Sequence, residues 1–134
     1  MRLATSLVIL AIVWLPGCRS SRPEPSPGEV QVLLQRGVGS ADSGDDRAAI
    51  ADYDEVLRLQ PENAEAAYLR GAARDRLGDR SGAVADYDTA LRLNPNLLPA
   101  YVARAAAHAA LGNSASVEAD ADHARRLMGD DQVH

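Results

Sequence analysis

Lysine and phenylalanine are absent from this chain of 134 residues, and cysteine and tryptophan occur once each. A single cysteine cannot form a disulfide within the chain, so no disulfide framework supports the fold. All 14 basic residues are arginines, and the 19 acidic residues outnumber them to give a net charge of −5. Because phosphate backbones are bound by clustered positive charge, this balance argues against a nucleic-acid-binding protein.

Motifs for metal binding and catalysis are also missing. The sequence has no HExxH, and no two of its histidines have the spacing of metal ligands (His108, His123 and His134). The aspartates of segment 42–46 lack the alternating spacing of a calcium loop and are better explained by helix capping. The glycines of segment 37–39 lie within a predicted helix, and no serine stands in a nucleophile elbow. The sequence therefore predicts a protein that is not an enzyme and uses no metal or cofactor.

Segment 1–17 has the pattern of a signal peptide. A positive charge at Arg2 precedes a mostly apolar run from Leu3 to Leu15. This run is too short to span a bilayer core, which needs about 20 residues. The run is followed by Pro16, Gly17 and Cys18, and this ending resembles a bacterial lipobox, in which the cysteine is lipidated. The alternative is a plain secreted protein whose cysteine stays free or is removed with the signal.

Residues 18–29 combine the lipid-attachment cysteine with three prolines and three serines. With almost no apolar side chain to bury, this segment is predicted to be a semi-extended tether. The resemblance implies a lipid-anchored protein of the cell envelope, at the outer membrane or the periplasmic face in a Gram-negative organism.

The remainder of the chain repeats with a period of about 34 residues, as helical-hairpin repeats do. The recurring residues include glycines, tyrosines and prolines: Gly44, Gly78 and Gly112; Tyr53 and Tyr87; Pro61 and Pro95. Two amphipathic runs flank each of these glycines, which indicates a hairpin of two helices per unit. The predicted units are 30–63, 64–97 and 98–131. The third unit is the most degenerate, and it has Ala121 where the tyrosines stand.

Within the second unit, small and turn-forming residues define the hairpin. Gly78 ends the first helix by adopting a left-handed backbone conformation, and Pro95 ends the second helix. Gly71 and Ala83 are small because the two helices approach closely there. A single hairpin cannot bury both of its faces, so neighbouring hairpins are expected to stack.

The second unit resembles the tetratricopeptide repeat family. The resemblance is carried by residues at spacings of 12, 4, 3 and 5, namely Gly71, Ala83, Tyr87, Ala90 and Pro95. The first helix departs from the family pattern, with Ala67, Arg70 and Arg74 at the tryptophan, leucine and tyrosine positions. The resemblance implies an all-α fold in which six helices form three hairpins, stacked as a short right-handed solenoid.

One pair of opposite charges recurs at the same separation in every unit: Arg36 with Asp52, Arg70 with Asp86, and Arg104 with Asp120. The arginine lies on the first helix and the aspartate on the second, so each arginine can bind its carboxylate bidentately. A catalytic residue is rarely needed three times at one period, and a structural clasp is the better interpretation. A second set of aspartates, two positions further on, is expected to point towards solvent (Asp54, Asp88 and Asp122).

By resemblance to the family, the first helices of the hairpins line a concave groove. The predicted groove residues are Leu34, Val38, Asp42, Tyr68, Ala72, Asp75, Arg76, Val102, Ala106 and Ala109. The lysines and asparagines with which some relatives bind a carboxyl terminus are missing. The groove is therefore predicted to suit an amphipathic helix or an extended apolar peptide. The alternative is that Leu34 and Tyr68 pack within the stack and that the groove is empty.

These features favour a cell-envelope lipoprotein that acts as a protein-interaction scaffold or assembly factor. It resembles the small repeat lipoproteins that assist envelope machines. Its expected partners are a protein or peptide and, through the lipid, the membrane. The alternative is a structural protein that forms a homo-oligomer through its uncovered terminal helices.

The signal-peptide interpretation predicts the loss of Trp14, which is the only tryptophan. The native protein isolated from its membrane should show tyrosine fluorescence alone, and a tryptophan band would mean that the segment is retained. Cys18→Ser should release the protein from the membrane or block its processing. Unchanged membrane attachment in that variant would contradict lipidation.

Overall fold

The structure is a computed structural model that describes residues 24–129. The predicted signal peptide, Cys18, tether residues 19–23 and the last two residues of the third predicted repeat lie outside this range. Six α-helices and no strand are present within it. The helices are α1 (Pro27–Asp42), α2 (Asp46–Leu59), α3 (Ala64–Arg76), α4 (Arg80–Leu93), α5 (Leu98–Ala110) and α6 (Ser114–Leu127).

The helices pair in chain order into three antiparallel hairpins, α1 with α2, α3 with α4 and α5 with α6. Each hairpin packs on the next through its second helix, so α2 contacts α3 and α4 contacts α5. The first helices of successive hairpins also touch, α1 with α3 and α3 with α5. The predicted all-α solenoid of three tetratricopeptide-type hairpins is confirmed.

Side-chain caps determine where the first four helices begin. The side-chain oxygen at each cap accepts a hydrogen bond from the third helical amide, at Ser26, Asp45, Asn63 and Asp79. Ser26 and Pro27 together start α1 three residues earlier than the predicted Val30, because proline is favoured at the first helical position. Residues 27–29 are therefore helical and do not belong to the tether.

Two positions of the second hairpin require glycine for different structural reasons. Gly78 has a φ of +88°, the left-handed conformation that lets the chain leave α3 and enter the turn before α4. Gly71 lies inside α3, where a Cβ would be 2.8 Å from Cε1 of Tyr87. The tyrosine ring therefore occupies the space that a side chain at position 71 would need.

The same ring-on-glycine contact organises the core of the first two hairpins. Tyr53 packs against Gly37 as Tyr87 packs against Gly71, and each tyrosine is only 1% exposed. Burial raises the pKa of both phenols above its ordinary value, so both rings are neutral in the folded protein. Small buried residues let the helices approach closely, including Ala49, Ala66, Ala73, Ala83, Ala90 and Ala100.

The third hairpin, which lacks the core tyrosine, uses a different aromatic residue. Tyr101 on α5 is 8% exposed and stacks on His123 of α6, with 5.2 Å between the ring centroids. Its hydroxyl donates a hydrogen bond of 3.0 Å to the carbonyl of Pro95, in the turn before α5. Tyr101 thus ties α6 to the preceding turn.

A pair of substitutions in α1 tests the ring-on-glycine contact. A Cβ at Gly37 would lie 2.6 Å from Cε1 of Tyr53, whereas a Cβ at Gly39 would meet nothing within 4 Å. Gly37→Ala should lower the free energy of unfolding by roughly 1–3 kcal/mol, because the buried ring must move. Gly39→Ala should raise it by about 0.5–1 kcal/mol through helix propensity. Urea unfolding measures both, and similar values for the two variants would contradict the packing.

Candidate functional site

The three predicted arginine–aspartate pairs all meet across their hairpins. Arg70 donates from Nε to Asp86 Oδ2 at 3.0 Å and from Nη2 to Asp86 Oδ1 at 2.6 Å. Arg104 binds Asp120 and Arg36 binds Asp52 through the same two nitrogens. These aspartates are 3–7% exposed, so each carboxylate is buried with its charge compensated by a fork of donors.

The second set of aspartates connects neighbouring hairpins. Arg70 Nη1 donates to Oδ1 of Asp54 in the preceding hairpin at 2.7 Å, and Arg104 Nη1 donates to Asp88 at the same distance. Asp54 and Asp88 are exposed, as predicted, but each also binds the arginine of the next hairpin. Each of these two arginines bridges a carboxylate 16 residues ahead and one 16 residues behind. We call this series of contacts the arginine ladder.

The ladder is strengthened in the second hairpin by a further arginine. Arg74 donates from Nη1 to Asp86 Oδ2 at 3.0 Å, so the buried Asp86 accepts from two arginines. The hydrogen bond from Arg70 to Asp86 raises the pKa of Arg70 above its ordinary value, despite partial burial of the guanidinium. The two arginines that depart from the family pattern, Arg70 and Arg74, thus converge on one carboxylate.

A hollow of about 230 Å³ lies between the first and second hairpins. Its lining comes from α1, α2 and α3, and consists of Val38, Ala41, Asp42, Tyr53, Leu69, Ala72 and Arg76. Four of the predicted groove residues meet there: Val38, Asp42, Ala72 and Arg76. Ala41 and Leu69 were not predicted, although Ala41 follows Val38 by three residues and so shares its helix face.

The rim of this hollow carries charges of both signs. Arg76 donates from Nε to Asp46 Oδ1 at 2.7 Å, which joins the end of α3 to the start of α2. Asp46 is 8% exposed, and its hydrogen bond raises the pKa of Arg76 above its ordinary value. Asp42 is exposed and forms no hydrogen bond or ion pair with any residue between 24 and 129. With Arg76 neutralised by Asp46, the uncompensated charge at the rim is the carboxylate of Asp42.

The other predicted groove residues lie outside the hollow. Leu34 is 7% exposed and packs in the core of the first hairpin, so its assignment to the groove is wrong. Tyr68 is half-buried, and its ring centroid is 5.9 Å from that of Tyr87. Asp75 is half-buried and forms an ion pair of 3.7 Å with Arg80. The remaining three, Val102, Ala106 and Ala109, are exposed on α5.

Leu34 and Tyr68 occupy one position of the repeat and Val38 and Ala72 another, yet the prediction placed all four in the groove. All four are on first helices, but a neighbouring core covers the larger side chains. Leu34 packs with Leu33 and Tyr53, and Tyr68 packs against the cores of the second and third hairpins. The alternative of packing within the stack is therefore correct for Leu34 and partly correct for Tyr68.

Two further properties of residues 24–129 bear on function. No helix in this range is both long and apolar enough to cross a membrane. No three histidine, cysteine or acidic side chains in it are grouped closely enough to hold a metal ion.

Comparison with known proteins assigns the repeat. The tetratricopeptide repeat family model matches residues 64–97. No curated protein sequence matches the chain significantly. Residues 64–97 are thus a tetratricopeptide repeat, and the stacked hairpins have the fold of a tetratricopeptide-repeat domain. Domains of this fold are typically interaction modules rather than enzymes.

Solved structures of the same fold come from several proteins. The first tetratricopeptide-repeat domain of Spaghetti (RPAP3), bound to the HSP90 peptide SRMEEVD, has a TM-score of 0.76 and 24% identity, covering 82% of this chain and 87% of that one. The TPR2B domain of yeast Sti1, in complex with pHsp70, has a TM-score of 0.73 and 27% identity, covering 76% and 82%. The OM64 domain of Arabidopsis has a TM-score of 0.72 and 24% identity, covering 77% and 85%.

A double-mutant cycle tests the ladder. Arg70→Ala and Asp86→Ala should each cost roughly 1–3 kcal/mol of stability, because each leaves a partly or fully buried charge short of a partner. The double variant should cost less than their sum. Urea unfolding gives the four free energies, and strict additivity would contradict the contact.

The pair Glu55 and Arg58 supplies the control for this cycle. These residues bind each other on one face of α2, with both side chains more than 40% exposed. Their coupling should be only about 0.3–0.5 kcal/mol, as for other exposed ion pairs on helices. A coupling at Arg70 and Asp86 no larger than this would mean that burial adds nothing to the ladder.

Proposed function

We propose that this protein is an interaction module of the cell envelope that binds an apolar segment of a partner protein in the hollow between its first two hairpins. The observation that carries the proposal is the hollow itself, with an apolar floor and a charged rim on the helices that face a groove in this fold. The HSP90 peptide bound by the RPAP3 domain supports a peptide as the class of ligand.

The size of the hollow favours a peptide or helix over a small molecule. Pockets for whole small molecules usually measure about 300–1,000 Å³. At about 230 Å³, this hollow is smaller and admits apolar side chains projecting from a longer segment. Its floor of Val38, Leu69 and Ala72 offers no polar side chain to orient a small ligand.

The rim defines the charge of the expected partner. The HSP90 peptide bound by the RPAP3 domain, SRMEEVD, has three acidic residues among its last four. Here the chain has no lysine, Arg76 is neutralised by Asp46, and Asp42 remains uncompensated. The partner segment should therefore present apolar side chains beside a basic residue, since a like-charged segment would be repelled.

The envelope location rests on the amino-terminal sequence. A short apolar run followed by a sole cysteine supports lipidation at Cys18, and the proline-rich residues after it would hold the hairpins away from the bilayer. A lipid-anchored scaffold can retain a partner at the membrane without a membrane-spanning helix of its own.

Filling the hollow tests the binding site. Ala72→Leu places a larger side chain on the floor of the hollow, whereas Ala85→Leu adds the same atoms at an exposed position of α4. Partners should be crosslinked and captured from native membranes by the wild type and by Ala85→Leu. Capture by Ala72→Leu should fall about tenfold, which corresponds to roughly 1.4 kcal/mol of binding energy.

Melting temperatures of both variants show whether the fold is kept. Equal capture by Ala72→Leu and the wild type would exclude the hollow as the binding site. Equal loss of capture in both leucine variants would also count against it, because the exposed face of α4 would then be required.

A further inference from the structure

The arginine ladder has an unused donor at the first hairpin. Arg36 binds Asp52 through Nε and Nη2, but its Nη1 has no acceptor among residues 24–129. In Arg70 and Arg104 this same nitrogen binds the preceding hairpin. The Arg36 side chain is accordingly 64% exposed, compared with 22% for Arg70 and 20% for Arg104.

The matching acceptor lies on the third hairpin. Asp122 follows Asp88 by one period and Asp54 by two, and both of these accept from the arginine of the next hairpin. Asp122 instead accepts a hydrogen bond from Arg125 in its own helix, and its side chain is 44% exposed. The donor and the acceptor therefore occur at opposite ends of the same stack.

Nonpolar residues on α1 and α6, the two ends of the stack, are also exposed. Val32 on α1 stands one period before Ala66 and two before Ala100, which are fully buried, yet Val32 is 60% exposed. Gly39 is exposed, although the equivalent Ala73 and Ala107 are buried between hairpins. On α6, Leu127 is 40% exposed, and the adjacent Met128 is 60% exposed.

We propose that copies of this chain associate head to tail, with the exposed face of α1 in one copy stacked on the exposed face of α6 in the next. In this register, Arg36 Nη1 donates to the Asp122 carboxylate as Arg70 Nη1 donates to Asp54 within the chain. A second copy is the expected partner because each chain has the donor Arg36 at one end and the acceptor Asp122 at the other, at the same repeat positions as the pair Arg70 and Asp54. The contact uses the ends of the stack and does not depend on ligand binding in the hollow.

The composition of α6 sets the strength of this contact. Glu118 stands where the equivalent residues are Ile50 and Val84, and Arg125 stands where Leu57 and Leu91 are found. The interface is thus more polar than the two joints within the chain, and association should be reversible and weakened by salt. Because the two surfaces of this interface are different, a dimer leaves one surface free at each end, and further copies can add in an open row.

Sedimentation equilibrium of the full chain, in a detergent matched in density to the buffer, tests the proposal. The average protein mass of the wild type should rise with concentration beyond that of a dimer, and should fall towards one chain in high salt. A wild-type mass of one chain at every concentration would overturn the proposal.

Two variants block one end each. Asp122→Arg places a positive charge opposite Arg36 of the next copy. Gly39→Gln adds a large side chain at a position where the two joints within the chain have a buried alanine. Each variant alone should stay at the mass of one chain. A mixture of the two should form dimers that do not grow, because one intact end remains on each. Arg47→Glu, an equal change of charge at an exposed residue of α2, should associate like the wild type.

The outcomes also distinguish other arrangements. If the Asp122→Arg variant associates by itself, the contact is a symmetric one through α1. If the Gly39→Gln variant associates by itself, the contact is a symmetric one through α6. Either result would overturn the head-to-tail register. Neither substitution touches the core. Gly39→Gln should melt no lower than the wild type, and Asp122→Arg, which loses the exposed ion pair with Arg125, should melt only slightly lower. Melting curves of the two variants verify this.

Discussion

The structure depends on carboxylates that are buried between helices and must be matched by arginine. Removing a carboxylate from water is costly unless hydrogen bonds and an opposite charge replace the lost hydration. Asp86 and Asp120 satisfy this condition only when their own hairpin is closed and the guanidinium lies against both oxygens. The same guanidinium then reaches the previous hairpin, so closing a hairpin and stacking it become parts of one network.

The apolar part of the core is suited to this arrangement because it is made of small residues. Alanines at the helix contacts and a glycine under each of two tyrosine rings bring the helices close together. Close approach lets a single arginine side chain span from one hairpin to the next. The hollow that we propose as the binding site is held by similar chemistry, since Arg76 links α3 to Asp46 at the start of α2 and fixes the rim.

The repeat and its clasps could be predicted from sequence because both are periodic. Gly78, Pro95 and the constant spacing of Arg70 and Asp86 each imply a local geometry that a single hairpin satisfies. The role of Asp54 was missed because the spacing was considered within one unit, although the sequence places Asp54 equally far before Arg70. The start of α1 was missed because the prolines suggested a tether, while Ser26 followed by Glu29 is a helix-capping pattern.

Burial within the groove could not be predicted in the same way. Leu34, Tyr68 and Val102 occupy equivalent positions of the three units, yet they are buried, half-buried and exposed in turn. Their exposure depends on which side chains the neighbouring hairpins contribute, and those side chains are not repeated. Lipidation of Cys18 remains a prediction from sequence, since that residue lies outside the described range.

The ladder should tolerate the gain or loss of a whole repeat unit but not an insertion within a unit. Each unit supplies one ladder arginine and both kinds of aspartate, so a duplicated or deleted unit would arrive or leave with every partner that its neighbours need. An insertion of a few residues inside a unit would change the spacing of 16 residues between an arginine and one of its carboxylates. Lysine could not replace the ladder arginine. Arg70 binds two carboxylates through its three guanidinium nitrogens, whereas lysine has a single nitrogen at the end of its side chain. We therefore expect such a protein to become longer or shorter by whole repeats.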